Sequence, residues 1–449
     1  MTDYELIAAI IFISFLAIFL HFKRKNLDTK PVIPNVLYFS MFRTKLGIKP
    51  MESWANKWNR FFKILGYIGI VVGFLGMGLI AFELVKNLVV SFSHPDAAPG
   101  VGVVLPVKGK GIFYVPFSYW IVSIFIIAAV HEFAHGLISR VHKIKVKSSG
   151  FAFVSTSFKA IGMMLVIFIS ISKIKKGEAF GFSAAKDFWL IAGIAMLILS
   201  YFKNLIAPVI PAAFVEPDEK ELRKRPHSQQ LSVFAAGPFS NILLAFVFML
   251  IAALVIVPVS NYVIEPNGVS IDGFIESNQT FPAKASGITE GERIISADGV
   301  ETLWIGNLSD VLKTKKPNDK VEIKTDKTAY TFTLGKNPKN ESMAYMGAYL
   351  KQSSKIQDDF KEKYGLFIAN AIIWFSGDFS DAGLLGFLII LNLGIGLFNL
   401  VPLGPIDGGR MIQLPLIKWL GKENGNKAWK WIGIFFLILI ILNVLSGFF

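Results

Sequence analysis

Residues 117–139 have the sequence FSYWIVSIFIIAAVHEFAHGLIS, an apolar run that carries two histidines and one glutamate near its end. The run is long enough to cross the hydrocarbon core of a bilayer as a helix. Ionisable side chains at that depth are costly and usually mark function. The stretch therefore predicts both a membrane-spanning helix and a functional site within it.

The composition of the whole chain is that of a membrane protein. Of its 449 residues, 53% are apolar and 17% are charged, whereas about 25% are charged in ordinary soluble domains. An ordinary soluble enzyme is excluded. The net charge of +14 is expected of basic residues that set topology beside anionic lipid, so the lipid bilayer is a partner and no nucleic acid is implied. Because cysteine is absent, any metal must be held by histidines and carboxylates.

Apolar runs of about span length recur along the chain. They predict membrane helices at residues 6–22, 65–85, 117–139, 231–259, 384–400 and 429–448. Two inserted runs, 160–171 and 188–202, must cross twice or not at all, and the first is short of the ~17 residues that a span needs, so it is expected to be re-entrant. The fold class is thus a polytopic α-helical membrane protein of about six to eight spans with a small inserted β-rich domain.

The remaining segments are predicted from alternation and charge. Residues 26–63 mix basic and aromatic side chains, as an interfacial amphipathic helix does. Residues 99–116 suggest an external hairpin, 143–155 a short strand pair, and 364–375 an amphipathic helix. Low apolar density marks the β-rich domain. Four divisions are predicted. Residues 1–116 contain the N-terminal spans with the amphipathic segment and the hairpin, and 117–260 form the first part of the core. Residues 261–352 form the β-rich domain, and 353–449 form the second part of the core.

The pattern HEFAH at His131–His135 predicts a metal site. Two histidines four residues apart differ by about 40° around a helix, so both imidazoles can reach one ion while Glu132 lies beside it. Histidine and glutamate in this spacing are typical of zinc hydrolases. The chance of the pattern arising at random, given six histidines, is low at roughly three in a thousand.

A catalytic zinc ion needs a third protein ligand, and three downstream acids are candidates. Glu178 and Glu216 lie in polar segments between apolar runs. Asp407 lies in NLVPLGPIDGG at 399–409, where glycines and prolines interrupt a membrane segment, which is tolerated only where protein or a water-filled cavity satisfies the backbone. Asp407 is the favoured ligand, and the alternative is an acid that simply ends a helix at the membrane interface.

A further cluster, AAGPFSN at 235–241, opens a predicted span. Gly237 permits close helix approach, and Asn241 brings an amide into the membrane. Taken alone, the cluster is typical of helix packing more than of catalysis.

Together, HExxH, GPxxN and NxxP-x4-DG in this order resemble the site-2 protease family of intramembrane zinc metalloproteases. The resemblance implies a Zn2+ ion held by His131, His135 and Asp407, and a substrate backbone held by Asn399 with Asn241. It also implies that the β-rich domain is PDZ-like, since 281–288 and 291–299 resemble the helix–turn–strand signature of that module. Two departures are the apolar insertion at 157–208 and Ile406, where the family commonly has leucine.

The family's activity would be hydrolysis of peptide bonds within transmembrane segments of membrane proteins, with Glu132 as general base and then general acid. A substrate helix must first unwind, and the strand pair at 143–155 is expected to hold it by β-addition. Basic residues after Phe22, after Ser139 and around Lys418 predict an active site toward the cytoplasmic face and the PDZ-like domain on the opposite face.

Two other functions compete with this one. One is a membrane-anchored zinc protease that acts on soluble peptides, which the apolar run before His131 disfavours. The other is a catalytically silent scaffold that recruits partners through its PDZ-like domain, which the presence of Glu132 disfavours. Neither the substrate's identity nor the oligomeric state is predicted.

Overall fold

The computed structural model describes residues 3–34, 36–93, 102–109, 111–176, 188–202, 206–275, 281–338 and 340–447. The chain forms two compact units. The core unit comprises Met1–Ala245 and Ile390–Phe449, and the insert unit comprises Phe246–Ile389.

Helices make up most of the core unit and flank the β structure of the insert unit. In chain order they are α1 (Asp3–Lys23), α2 (Ile48–Lys57), α3 (Asn59–Ser93), α4 (Phe117–Val141), α5 (Phe158–Lys176), α6 (Phe188–Phe202), α7 (Glu219–Arg223), α8 (His227–Ile251), α9 (Val257–Val263), α10 (Pro282–Ala285), α11 (Ile305–Lys313), α12 (Asp358–Ser376), α13 (Leu384–Phe398) and α14 (Asp407–Ser446). A π-helical segment, Ala252–Ile256, joins α8 to α9, and α14 is kinked at Gly421.

Among the described residues, four helices are long and apolar enough to cross a membrane: Asn59–Ser93, Phe117–Val141, His227–Val263 and Asp407–Ser446. With the β-rich insert, they establish an integral membrane protein that carries a β domain. The expected total of six to eight spans stays a prediction, as does the crossing of the inserted runs. Those runs are helical in α5 and α6.

The strands lie in both units. They are β1 (Leu27–Ile33), β2 (Leu37–Thr44), β3 (Val103–Leu105), β4 (Ile112–Tyr114), β5 (Val146–Ser157), β6 (Ile206–Pro217), β7 (Ile264–Phe274), β8 (Arg293–Ala297), β9 (Val300–Glu301), β10 (Lys320–Thr325), β11 (Ala329–Thr333), β12 (Gly335–Asn337), β13 (Asn340–Tyr345) and β14 (Ala348–Ile356).

In the core unit, four antiparallel strands form a sheet in the order β1-β2-β5-β6. Strand β5 is central, with Phe151 opposite Phe42 of β2 on one side and Ala213 of β6 on the other. Strand β6 lies at the edge, where its prolines, which lack an N–H group, are tolerated. The sheet therefore offers one open edge beside α4.

The insert unit contains a five-stranded path in the order β11-β10-β8-β7-β14, with β9 paired to β8. Its core is apolar and fully enclosed, with Val269, Ile294, Leu308 and Ile323 each 0% exposed. The β-rich character expected of this region is confirmed. Its PDZ-like identity and the exact domain divisions stay predictions.

Three local predictions were wrong. The amphipathic helix expected over 26–63 is limited to α2, because β1 and β2 precede it and α3 begins at Asn59. Pro31 disfavours a helix there, and the pairing of β2 with β5 supplies partners more than 100 residues away.

The expected strand pair over 143–155 is a single strand, β5, and its partners come from β2 and β6. The only turn lies before it, where Lys143 has a φ of 59°. The expected hairpin over 99–116 is, in its described part, a parallel pair of β3 and β4. Alternation indicates which face a side chain occupies and not the direction of the strand.

Candidate metal centre

The two histidines of α4 face one carboxylate from α14. The Nε2 atoms of His131 and His135 are 3.1 Å apart. Asp407 Oδ2 lies 3.1 Å from Nε2 of His131 and 3.3 Å from Nε2 of His135. Among the described residues, these three form the one group of potential ligands whose donor atoms converge in this way. The group can hold a metal ion.

Asp407 is placed by the loop that ends α13 and begins α14. The N–H group of Gly408 donates to the carbonyl of Asn399 at 2.8 Å, which closes the loop. A Cβ atom on Gly408 would lie 2.2 Å from the carbonyl oxygen of Leu400. The backbone can therefore fold this tightly only with glycine at that position, and the tight fold brings Asp407 back to α4.

A cavity of about 360 Å³ opens beside the three donor atoms. Its lining includes Glu132, Asn399, Arg410, and the β6 residues Phe214 and Val215. The carboxylate of Glu132 accepts a hydrogen bond from the backbone N–H group of Val215 at 2.9 Å. The carboxylate of Glu132, the three potential metal ligands and the open edge of a β-sheet thus share one cavity.

The two asparagines expected to bind substrate lie in different places. Asn399 lines the cavity. Asn241 is 0% exposed, and its amide lies 3.2 Å from Nδ1 of His131, on the side of the ring opposite to Asp407. This position suits a residue that orients the imidazole, and it does not support direct contact with substrate.

Of the two alternative third ligands, Glu216 does not join the group. Glu216 is bound to Arg43, and the hydroxyl of Ser148 donates to it at 2.6 Å. These hydrogen bonds, from Ser148 first and then from Arg43, hold the pKa of Glu216 below its usual value despite the opposing effect of burial. Glu178 lies outside the described residues.

Three contributions to the site were not predicted from the sequence. The carbonyl of Val233 accepts a hydrogen bond from His135 Nδ1–H at 2.6 Å, the N–H group of Val215 binds Glu132, and Arg410 lines the cavity. The sequence contains a signal for Arg410, since it lies three residues, or one helical turn, after Asp407. Backbone groups such as those of Val215 and Val233 leave no signature in the residue types.

The fold and the site define an integral membrane protein with a metal centre of the metallopeptidase type, built on an HExxH helix. The chain belongs to Peptidase family M50, the site-2 protease family, whose model matches residues 119–441. The resemblance seen in the three sequence motifs is thereby confirmed.

The chain is also similar to a curated protein, the zinc metalloprotease RasP of Shouchella clausii (strain KSM-K16). The two are 24% identical over 272 residues, which cover 52% of this chain and 62% of RasP. The chain therefore matches less than two thirds of the length of this relative.

Proposed function

We propose that the protein is an intramembrane zinc metalloprotease that hydrolyses peptide bonds within transmembrane segments of membrane proteins. The observation that carries the proposal is the convergence of His131, His135 and Asp407 at the cavity that also contains Glu132. Family membership and the likeness to a zinc metalloprotease support it.

The donor set fits zinc. Two imidazoles and one carboxylate are a usual set for catalytic zinc, and they leave a fourth position open. Three lone-pair donors this close together repel one another unless a cation or a proton lies between them. Because cysteine is absent from the chain, no thiolate competes for the ion. His131, His135 and Asp407 would hold the ion.

When bound, zinc would supply Lewis-acid polarisation of the scissile carbonyl and activation of water. Glu132 would accept the proton from the attacking water and deliver it to the leaving nitrogen, because its carboxylate lies in the cavity next to His131. Asn399, which lines the same cavity, would donate an amide hydrogen bond to the substrate backbone. The apolar helices around the site would limit access of bulk water.

An extended substrate segment would bind at β6 instead of β5. Both sides of β5 are occupied by β2 and β6, so the β-addition expected of 143–155 is blocked there. The other side of β6 faces the cavity through Phe214 and Val215. A strand added to that edge by main-chain hydrogen bonds would run past Glu132.

Cleavage of two peptides by the purified protein in lipid nanodiscs tests the proposal. One is a transmembrane helix with a Gly-Pro pair near its cytoplasmic third, and the other is a soluble peptide with the same residues around that pair. The protein is expected to cleave the first and not the second. Equal cleavage of both would favour the membrane-anchored protease, and cleavage of neither by zinc-loaded protein would favour the scaffold.

The membrane orientation is a proposal of its own. Lys143, Lys145 and Lys147 follow the end of α4, which favours a cytoplasmic position for that end. The metal site would then lie toward the cytoplasmic face and residues 261–352 on the opposite face. Since the chain has no cysteine, single cysteines at positions 145 and 300 can be probed with an impermeant maleimide, and labelling of both from one side would refute the assignment.

We further propose that residues 261–352 form a PDZ-like module that filters bulky substrates, because the segment carries no histidine and has its own closed core. Deleting it should leave zinc content unchanged and allow cleavage of substrates with untrimmed ectodomains. Loss of zinc on deletion would show that the segment braces the site instead.

A further inference from the structure

One face of α8 lies against the two histidines of α4. It carries Val233, Gly237 and Asn241, which are four residues apart and therefore occupy successive turns on one side of the helix. Val233 contacts His135, Asn241 contacts His131, and Gly237 lies beside both rings. Val233, Gly237 and Asn241 together form the α8 rail.

The first contact of the α8 rail sets the proton position on His135. Nδ1 of His135 lies 2.6 Å from the carbonyl oxygen of Val233. A carbonyl can only accept a hydrogen bond, so Nδ1 must carry the proton. Nε2, which faces His131 and Asp407, is then left with its lone pair free for a metal ion.

The second contact does the same for His131. Its Nε2 also faces Asp407, so a metal ion bound there requires the proton on Nδ1. Asn241 is the group at Nδ1. Its amide oxygen has no hydrogen-bond partner when the amide nitrogen faces the ring. If the amide oxygen of Asn241 faces the ring instead, it accepts a hydrogen bond from Nδ1–H of His131. That hydrogen bond stabilises the tautomer of His131 that can bind a metal ion through Nε2.

Gly237, the middle residue of the α8 rail, leaves space beside the two histidines. A Cβ atom on Gly237 would lie 2.4 Å from Nε2 of His131 and 2.4 Å from Nε2 of His135. These distances are shorter than any van der Waals contact. A side chain here would occupy the place beside the two donor nitrogens, where an ion must bind.

We propose that the α8 rail prepares the metal centre: Val233 and Asn241 fix the tautomers of the two histidines, and Gly237 keeps the ion's position open. Asn241 is thus a positioning residue and not a substrate ligand. The inference rests on the proposed function in one respect, that the ion is held by His131, His135 and Asp407.

Metal affinity tests the role of Asn241. In full-length protein in detergent, zinc affinity is measured by competition with a chelator. Asn241→Leu and the smaller Asn241→Ala are expected to lower it about 10–100-fold, as the loss of a group that orients a metal-binding histidine typically does. Asn241→Asp, which keeps an oxygen at Nδ1, is expected to restore most of it. The visible spectrum of the cobalt-substituted protein should change in the first two variants and not in the third.

Asn443 provides a matched control. It is also a buried asparagine of the core unit, 2% exposed, and its amide donates to the backbone carbonyls of Leu84 and Leu439. Asn443→Leu is expected to lower thermal stability without changing zinc affinity or the cobalt spectrum. If Asn241→Ala and Asn443→Leu lower zinc affinity equally, or if neither lowers it, the positioning role is refuted.

Gly237→Ala tests the space requirement independently. Alanine favours a helix over glycine, so the variant should fold, yet zinc content should fall well below one ion per chain. Gly78→Ala is the control, because a Cβ atom on Gly78 meets nothing within 4 Å. Full zinc occupancy in Gly237→Ala would refute this part of the inference.

Zinc binding by wild type and by His135→Ala distinguishes a wrong metal site from a wrong role for the α8 rail. If wild-type protein binds no zinc, or if His135→Ala binds it as well as wild type, the proposed metal site is wrong. If wild type binds zinc, His135→Ala does not, and the Asn241 variants bind it normally, only the α8 rail is wrong.

Discussion

Helix α3 of the core unit and the β-rich part of the insert unit place large apolar side chains differently. On α3, large apolar side chains such as Leu75 and Val71 are 70% and 61% exposed, while Gly69, Gly73 and Gly76 are buried. In the insert unit the buried side chains are Val269, Ile294 and Ile323. Helices in lipid associate through small residues that allow close approach, whereas a domain in water is driven together by apolar burial. The difference indicates that α3 is built for lipid and the β-rich part of the insert unit for water.

Two acids of low exposure, one in each unit, also differ in their partners. Glu292 of the insert unit accepts hydrogen bonds from Thr289, Thr325 and Tyr330, so its charge is satisfied within its own fold. Asp407 of the core unit instead faces two imidazoles at the edge of a cavity. An acid with its partners already in place is structural, and an acid that shares a cavity with other metal ligands is a functional candidate.

The largest effect is expected at Asp407. Asp407→Ala should lower zinc affinity by at least about 100-fold, because removal of a direct ligand costs more than removal of a group behind it. Glu216→Ala is the matched control, since Glu216 follows Val215 of the cavity lining but its carboxylate binds Arg43 and Ser148. Zinc affinity is measured by chelator competition, and unchanged affinity in Asp407→Ala would move the third ligand elsewhere.

Truncation of a core side chain in the insert unit is expected to have the next largest effect, a loss of stability confined to that unit. Leu308 is 0% exposed, so Leu308→Ala is expected to cost about 2–5 kcal/mol through the cavity it leaves. Hydrogen exchange in β8 and β10 should report the loss, while zinc content stays at the wild-type level. A fall in zinc content would show that the two units are not energetically separate.

A charge placed at an exposed apolar position should lower stability more in lipid than in water. Leu75→Arg, on the outer face of α3, is expected to cost about 2.5–3.5 kcal/mol in the bilayer. Val300→Arg, at a 50% exposed position of the insert unit, is expected to change stability by no more than about 0.5 kcal/mol. Thermal unfolding in nanodiscs compares them, and equal effects would contradict the assignment of Leu75 to lipid.

The smallest expected effect concerns acid sensitivity. Burial alone would raise the pKa of Glu292, but hydrogen bonds from Thr289, Thr325 and Tyr330 outweigh it and lower the pKa to about 2. A lowered pKa in the folded state stabilises the insert unit above the ordinary glutamate pKa of about 4.3, and this contribution is lost as pH falls toward the lowered value.

Comparison with Glu292→Gln isolates this contribution. The difference in hydrogen-exchange protection of β8 and β10 between the variant and wild type should be largest near neutral pH and shrink in acid. A difference that does not vary with pH would show that Glu292 acts through hydrogen-bond geometry alone.

Much of the metal site could be predicted from the sequence. His131 and His135 are on one helix, where a spacing of four residues determines that their side chains share a face. Asp407 was harder to predict from the sequence, because it contacts a residue of α4 that lies 276 positions away in the chain. The interruption of an apolar run by glycines and prolines nevertheless indicated a backbone loop buried in protein, and the structure shows that loop closed by Gly408.

Other features could not be predicted, for physical reasons. Strand β2 pairs with β5 from Leu37 opposite Thr156 to Thr44 opposite Ser149, and local alternation contains no information on so distant a partner. The side of the imidazole that Asn241 contacts depends on how α8 packs against α4. The residue type of Asn241 suggested a polar contact in the membrane, and only the packing shows that its amide lies against His131.

The most direct test of the account is the fate of one transmembrane peptide with wild-type protein and with Glu132→Gln. Zinc per chain and product masses are measured in the same samples. The account predicts equal zinc in both proteins, two fragments cut within the apolar segment by wild type, and a rate lower by about 10²–10⁴ in the variant, because glutamine cannot accept the proton. The same fragments at the same rate from Glu132→Gln would contradict it.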